Sequence, residues 1–163
     1  MRRGSTISLP TNALTSAEAL LEAANSMDSP NGFIVEEQVS NGVAEIMIGI
    51  TNDIATGLML TLGSGGIHSE LWQDAQHLLL PVTKHEIAKT LEKLKIHSLL
   101  EGYRGKPGGD MECLIESIAC LTDFAIENHE TLVEIEINPF ISLEKGGYAV
   151  DILARFTNES DKL

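Results

Sequence analysis

The chain is poor in aromatic residues, in basic residues and in cysteine. One Trp, two Tyr and four Phe make up 4% of its 163 residues. Trp72 and Tyr103 therefore read as core or lid packing, not as a platform on which bases stack. Eleven Lys and Arg stand against 24 Asp and Glu, for a formal net charge of −13. Duplex nucleic acid is excluded as a partner, because its phosphates need a basic stripe to neutralise them. An anionic membrane surface is excluded for the same reason. No apolar run approaches the roughly 20 residues of a membrane span. Met1, Arg2 and Arg3 lead into polar Ser5, Thr6 and Asn12, so the start does not read as a signal peptide. The cytoplasm is the expected address. Cys113 and Cys120 sit seven apart in an apolar run. That spacing predicts two buried thiols on one helix face and no metal knuckle.

What is present suits a folded domain: 43% hydrophobic and 21% charged residues. Residues 1–14 read as a loose arm, 15–157 as the folded part and 158–163 as a tail. A helix begins near Thr15 or Ser16, with Glu18 placed for a capping box, and carries a stripe of Ala17, Leu20, Leu21 and Ala24. Three strands are predicted over 33–39, 43–50 and 57–62, parted by Asn41-Gly42 and by Thr51-Asn52-Asp53. Residues 67–81 are ambiguous; Leu78, Leu79 and Leu80 suit a strand or a buried turn. Thr83 with Glu86 predicts a second capping box, and Ile87, Thr90, Leu91 and Leu94 give that helix its stripe. Residues 98–102 look like one helical turn. Asp110 caps the longest helix, which carries Leu114, Ile118, Leu121 and Ala125 on one side and ends near Asn128. Strands over 132–141 and 148–156 close the chain as a hairpin. The order α-βββ-αα-ββ predicts an α+β fold, a mostly antiparallel sheet with helices on one face.

The last hairpin is the most informative segment. Side chains alternate along a strand, so Glu134, Glu136 and Asn138 share a face, and Ile135 and Ile137 point to the core. A two-residue loop sets Asp151 opposite Phe140 or Ser142, and either register puts Glu136, Asn138 and Asp151 on one surface. A bulge at Pro139 would break the parity, because Pro cannot donate to the ladder. Two carboxylates and an amide oxygen on a rigid face suit a hard cation such as Mg²⁺. A merely acidic, solvated sheet face and a paired-carboxylate hydrolase are the alternatives.

Glu36 and Glu45 alternate with apolar neighbours and can accept from ribose hydroxyls; the competing reading is charge that protects an edge strand. Gly63, Gly65 and Gly66 form a Gly-rich loop able to offer backbone N–H groups to phosphate, with His68 beside it. It lacks the Lys-Ser/Thr sequel of a Walker loop and the Rossmann spacing, and a plain glycine turn competes with the phosphate reading.

Taken together, FIVEEQV, AEIMIGITND, GSGGIHSEL with Asp74, LLEGYRGKP, and EIEINPF followed by YAVDILARF occur in this order over residues 33–156. The chain in this respect resembles the ATP-grasp domain of NDP-forming acyl-CoA synthetases, the ADP-forming acetate–CoA ligases, relatives of the succinyl-CoA synthetase beta subunit. The resemblance implies an ATP-grasp-like C-terminal subdomain that binds Mg²⁺ with ATP or ADP. It implies Asn138 and Asp151 as metal ligands with Glu136 beside them. Glu36 and Val39 match the adenine hinge, Glu45 a second nucleotide contact, and Gly65, Gly66 and Glu70 a loop facing phosphate or a phosphohistidine. In the family a histidine carries phosphate between ADP and an acyl-CoA-forming site. The matching stretches lack the family's upstream lobe, with its phosphate-contacting lysine and its histidine loop, and the CoA-binding and ligase domains. Gln73 stands where relatives often carry Lys. The expectation is thus half of a nucleotide site, completed by a partner lobe in the same or another chain. A binding or assembly module that keeps the fold without the chemistry is the alternative, and an exposed apolar surface predicts self-association.

Overall fold

In the computed structural model of the protein, residues 16–26, 35–66 and 74–157 are described. The chain divides into two units, Met1–Ser40 and Asn41–Leu163. In the first, helix α1 spans Ala17–Ser26. Ser16 begins it, its Oγ accepting the Ala19 N–H at 3.2 Å. Thr15 lies outside the described residues. Residues 35–40 form no strand, and neither do any other described residues before Ala44. This corrects the strand predicted over 33–39 for residues 35–39; Phe33 and Ile34 lie outside the described residues. Its alternating pattern is real, but a strand exists only against a neighbour, and none pairs with it.

The second unit is one six-stranded antiparallel sheet with helices on one face. Its elements are β1 (Ala44–Asp53), β2 (Gly57–Ser64), β3 (Ala75–Leu79), α2 (Lys84–Leu91), α3 (His97–Leu100), α4 (Met111–Glu127), β4 (Leu132–Ser142), β5 (Gly147–Ala149) and β6 (Ile152–Phe156). The strand order is β3-β2-β1-β4-β5, with β6 also on β4. Ile46, Ile48, Ile50, Leu60, Leu62, Ile135, Ile137 and Phe140 line the covered face and are buried. Ile87 and Leu91 of α2 and Leu114 and Ile118 of α4 complete that core. Residues 78–80 resolve as the end of β3 and its exit.

The helix starts follow their local signals. Thr83 Oγ1 accepts the Glu86 N–H at 3.2 Å, while the Thr83 N–H donates to Glu86 Oε2 at 2.8 Å, the reciprocal capping box. Asp110 Oδ1 accepts the Cys113 N–H at 3.0 Å, and its Oδ2 accepts the Gly146 N–H at 2.8 Å. One carboxylate thus starts α4 and pins the β4–β5 turn to it. These N–H groups hold the Asp110 carboxyl below its ordinary value. On α4 the buried stripe is Leu114, Ile118, Thr122 and Ala125, with Leu121 only half-buried. Thr122 tolerates burial because its hydroxyl donates to the Ala119 C=O at 2.8 Å. Cys113 is half-buried and Cys120 exposed, which corrects the pair of buried thiols. α4 meets the sheet along a narrower stripe than the seven-residue spacing implied.

The hairpin register also differs from expectation. Phe140 pairs with Ala149 and Ser142 with Gly147, so the loop has four residues. Asp151 then falls opposite Asn138, and the Asn138 N–H donates to the Asp151 C=O at 3.0 Å. The return strand breaks at Val150 and Asp151 into β5 and β6. Against β1, β4 carries an extra residue: Ile46 faces Phe140 but Ile48 faces Ile137. This is a bulge at Asn138-Pro139. No helix among the described residues is long and apolar enough to cross a membrane.

Candidate nucleotide site on the open sheet face

The uncovered face of the sheet presents Glu45 and Gly49 from β1, Thr61 from β2, His77 from β3 and Glu136 from β4. At one end of this face three segments converge: β1, the turn after β2, and β4. Gly65, just past β2, donates its N–H to the Glu45 C=O at 2.7 Å. A Cβ at Gly65 would lie 2.8 Å from the Ile46 backbone, so only glycine lets the turn rest flat on β1. Gly66 follows with φ +58°, and a Cβ there would fall on the Glu45 carboxylate. Its N–H donates to Asn138 Oδ1 at 3.1 Å. Asn138 Nδ2 in turn donates to Glu136 Oε1 at 3.3 Å. The bulge keeps Glu136 and Asn138 on the open side, while Ile137 and Phe140 both enter the core.

The structure therefore brings Glu45, Gly65, Gly66, Glu136 and Asn138 into one connected group, with Asp151 directly across the ladder from Asn138. Glu36 is exposed and Val39 half-buried in the first unit, which is described by itself. Glu70, His68 and Trp72 lie outside the described residues.

Two features escape a reading of the sequence. Asp74 is buried and accepts from Ser64 Oγ at 2.8 Å, from the Lys95 N–H at 3.0 Å and from the Ile96 N–H at 3.2 Å. It ties the strand that delivers Gly65 to the turn before α3. Nothing local in the sequence points across those 21 or 22 residues; its place three residues after the GSGGIHSEL stretch is the sole sign. Likewise Thr61 Oγ1 and His77 Nδ1 lie 3.0 Å apart on the open face, a pairing set by register rather than by motif.

The donor set suits a hard cation brought in with its own ligands. Among the described residues no group of three or more His, Cys, Asp or Glu can hold a metal ion. Two carboxylates and an amide oxygen are too few for a protein-only cage. They match Mg²⁺, which takes one or two carboxylates and completes its octahedron with water and phosphate oxygens. The Asn138 amide is already oriented from both ends, its oxygen by Gly66 and its nitrogen by Glu136.

Comparison with known proteins agrees with this architecture. An ADP-forming acetate–CoA ligase of Methanocaldococcus jannaschii is 31% identical over 117 residues, which is 71% of this chain and 16% of that protein. Subunit beta of the ADP-forming acetate–CoA ligase II of Pyrococcus furiosus is 28% identical over 124 residues, 76% of this chain and 52% of the subunit. The chain thus spans about half, or less, of the curated relatives it matches. Among solved structures, a dinucleotide forming acetyl-coenzyme A synthetase 1 of Ca. Korarchaeum cryptofilum, with a phosphorylated phosphohistidine segment, has a TM-score of 0.74 at 26% identity. That match covers 90% of this chain and 69% of the other. The same synthetase in complex with coenzyme A and Mg-AMPPCP gives 0.68 at 27% identity, over 73% of this chain and 55% of the other. The ATP-grasp domain profile runs over residues 7–155, most of the sequence: the chain belongs to the ATP-grasp family.

Proposed function

We propose that this chain supplies the Mg²⁺-nucleotide half-site of an ADP-forming acyl-CoA synthetase. In this reading it moves a phosphoryl group between ADP or ATP and a histidine carried on another segment. The observation that carries it is the connected group of Glu45, Gly65, Gly66, Glu136 and Asn138, with Asp151 across the ladder. When bound, Mg²⁺ neutralises phosphate charge and fixes the geometry of the transferred group. Asn138 and Asp151 hold the ion, and Glu136 keeps the Asn138 amide aligned. The Gly65-Gly66 turn brings backbone close to phosphate without a side chain in the way. Glu45, half-buried against Gly66, accepts from a nucleotide hydroxyl. The family resemblance, not the geometry, assigns Glu36 and Val39 to the base and Glu70 to the phosphate end.

Such a site needs basic groups opposite it, and none of the described residues that form it is basic. A complementary lobe and the acyl-CoA-forming domains are the partners that would supply them. The β5–β6 edge supports a further polypeptide surface on this side: Tyr148, Val150, Ile152, Leu153 and Phe156 stay exposed along it.

Titration calorimetry with ADP and ATP, with and without Mg²⁺, tests the proposal. The expected result is weak, Mg²⁺-dependent binding by the chain alone, because a cleft with one wall buries little ligand. Asn138→Ala and Asp151→Ala should abolish the Mg²⁺-dependent part. Binding that is unchanged in the double variant, or absent at millimolar nucleotide, overturns the assignment.

A further inference from the structure

A concavity lies beside the start of β1 and the turn that follows β4. It is a cavity of about 910 Å³ lined by Leu99, Tyr103, Arg104, Lys106, Glu144 and Lys145, among others. The loop after α3 meets the β4–β5 turn there. Its charge is opposite to that of the chain: three of the eleven basic residues line this one cavity. None of the three forms a salt bridge with a described residue, although Glu144 lines the same space.

The loop is built, not slack. The Lys106 N–H donates to the Tyr103 C=O at 3.0 Å, and the Gly109 N–H to the Leu100 C=O at 2.8 Å. A Cβ at Gly102 would lie 2.8 Å from the Lys106 C=O. Within this frame Arg104 has φ +51°, and it is the single non-glycine with positive φ among the described residues. Stability alone favours glycine at such a position. A large cationic side chain held in a strained conformation on an open loop points to use of that side chain. Its guanidinium lies 5.2 Å from the centroid of the Tyr103 ring. Tyr103 is 49% exposed, so of the core-or-lid expectation the core half is corrected. The guanidinium stands over the ring, and both residues are exposed, so the pair is accessible to a planar group.

We propose that this cavity is a second ligand site, which holds a nucleoside phosphate through the protein's own cations and without a metal. The base stacks on the Arg104–Tyr103 pair. Lys106 and Lys145 neutralise the phosphates. Glu144 accepts from a ribose hydroxyl or an exocyclic amine. The volume lies at the upper end of the range for small-ligand pockets, which leaves room for more than a mononucleotide. A free adenine nucleotide and the adenosine-phosphate end of coenzyme A share this chemistry.

The test is calorimetric titration of the full chain in EDTA at low salt, with ADP, coenzyme A, adenosine and pyrophosphate as separate probes. ADP or coenzyme A should bind more tightly than either adenosine or pyrophosphate, and whichever of the two binds better identifies the source. Lys106→Gln with Lys145→Gln should weaken binding at least tenfold, as should raising the salt. Arg104→Gly should weaken it similarly without lowering the melting temperature, because glycine accepts the backbone that Arg104 strains to adopt. Asn138→Ala with Asp151→Ala should leave this binding intact, which separates it from the Mg²⁺ site. Absence of metal-free binding, equal binding of pyrophosphate and ADP, or insensitivity to these cation substitutions would each overturn the proposal.

Discussion

Asp74 offers the sharpest test of how the fold holds the open-face site. Asp74→Ala removes an acceptor from three donors at once, Ser64 Oγ, Lys95 N and Ile96 N. Ser64 and Ile96 are buried, at 2% and 1% exposure, so water does not replace the lost carboxylate there. Taking about 1.5 kcal/mol for each of these two donors and about 1 kcal/mol for the more accessible Lys95 N–H gives a loss of about 4 kcal/mol. For a domain of this size that lowers Tm by about 12–16 °C. Asp74→Asn keeps one oxygen. Turned to serve Ser64 and Ile96, it aims its amide hydrogens at the Lys95 N–H, so roughly half the loss is expected, about 2 kcal/mol. Urea melts of the three proteins should therefore rank parent, Asn, Ala, with an unchanged m value. Amide exchange at Lys95 and Ile96 should accelerate in the same order. If the Ala variant melts within about 1 kcal/mol of the parent, Asp74 does not bind these elements together.

Two further outcomes follow from single groups. Gly66→Ala places a side chain on the Glu45 carboxylate at a left-handed φ of +58°. It should cost about 1–2 kcal/mol in a thermal melt and weaken Mg²⁺-nucleotide binding by about tenfold through displacement of Glu45. The Asp110 carboxyl is held low by the N–H groups of Cys113 and Gly146. A folded value below the unfolded one means its contribution is full above about pH 4 and is lost as pH falls through the folded value. Melts between about pH 6 and pH 2 should show that loss, and Asp110→Asn should flatten this part of the profile.

What could be read from the sequence depended on how far each signal reaches along the chain. Thr83 with Glu86 and Asp110 with Cys113 act within one helical turn, and both caps form as their residue types require. The alternation of Ile135 and Ile137 with Glu134 and Glu136 needed only the pleat, and it placed the acidic face correctly. Register was harder. The loop length that fixes it depends on Asp110 holding the Gly146 N–H from another element. The shared face of Glu136, Asn138 and Asp151 survived because the observed pairing differs from the expected ones by an even number of residues. Residues 35–40 failed in the opposite way: the pattern was sound, but no strand came to meet it. Asp74 and the Thr61–His77 contact were invisible because their partners are chosen by the folded sheet.

The bulge at Asn138-Pro139 has a consequence for how this strand tolerates change. Alternation along β4 works as a phase, and the extra residue inverts it midway. Ile135 and Ile137 read in one phase, Phe140 and Ser142 in the other, and both halves send the right side chains inward. Deleting Pro139 alone would restore a uniform phase. Phe140 would then stand two residues from Ile137, so Phe140 and Ser142 would still face the core and Ile141 would still face outward; the loss of this one residue would straighten the strand without reversing its end. The bulge is thus the one place on β4 where a residue can be lost without a change of face, whereas a one-residue deletion within 134–137 or 140–142 that leaves the bulge in place sends the side chains beyond it to the opposite face.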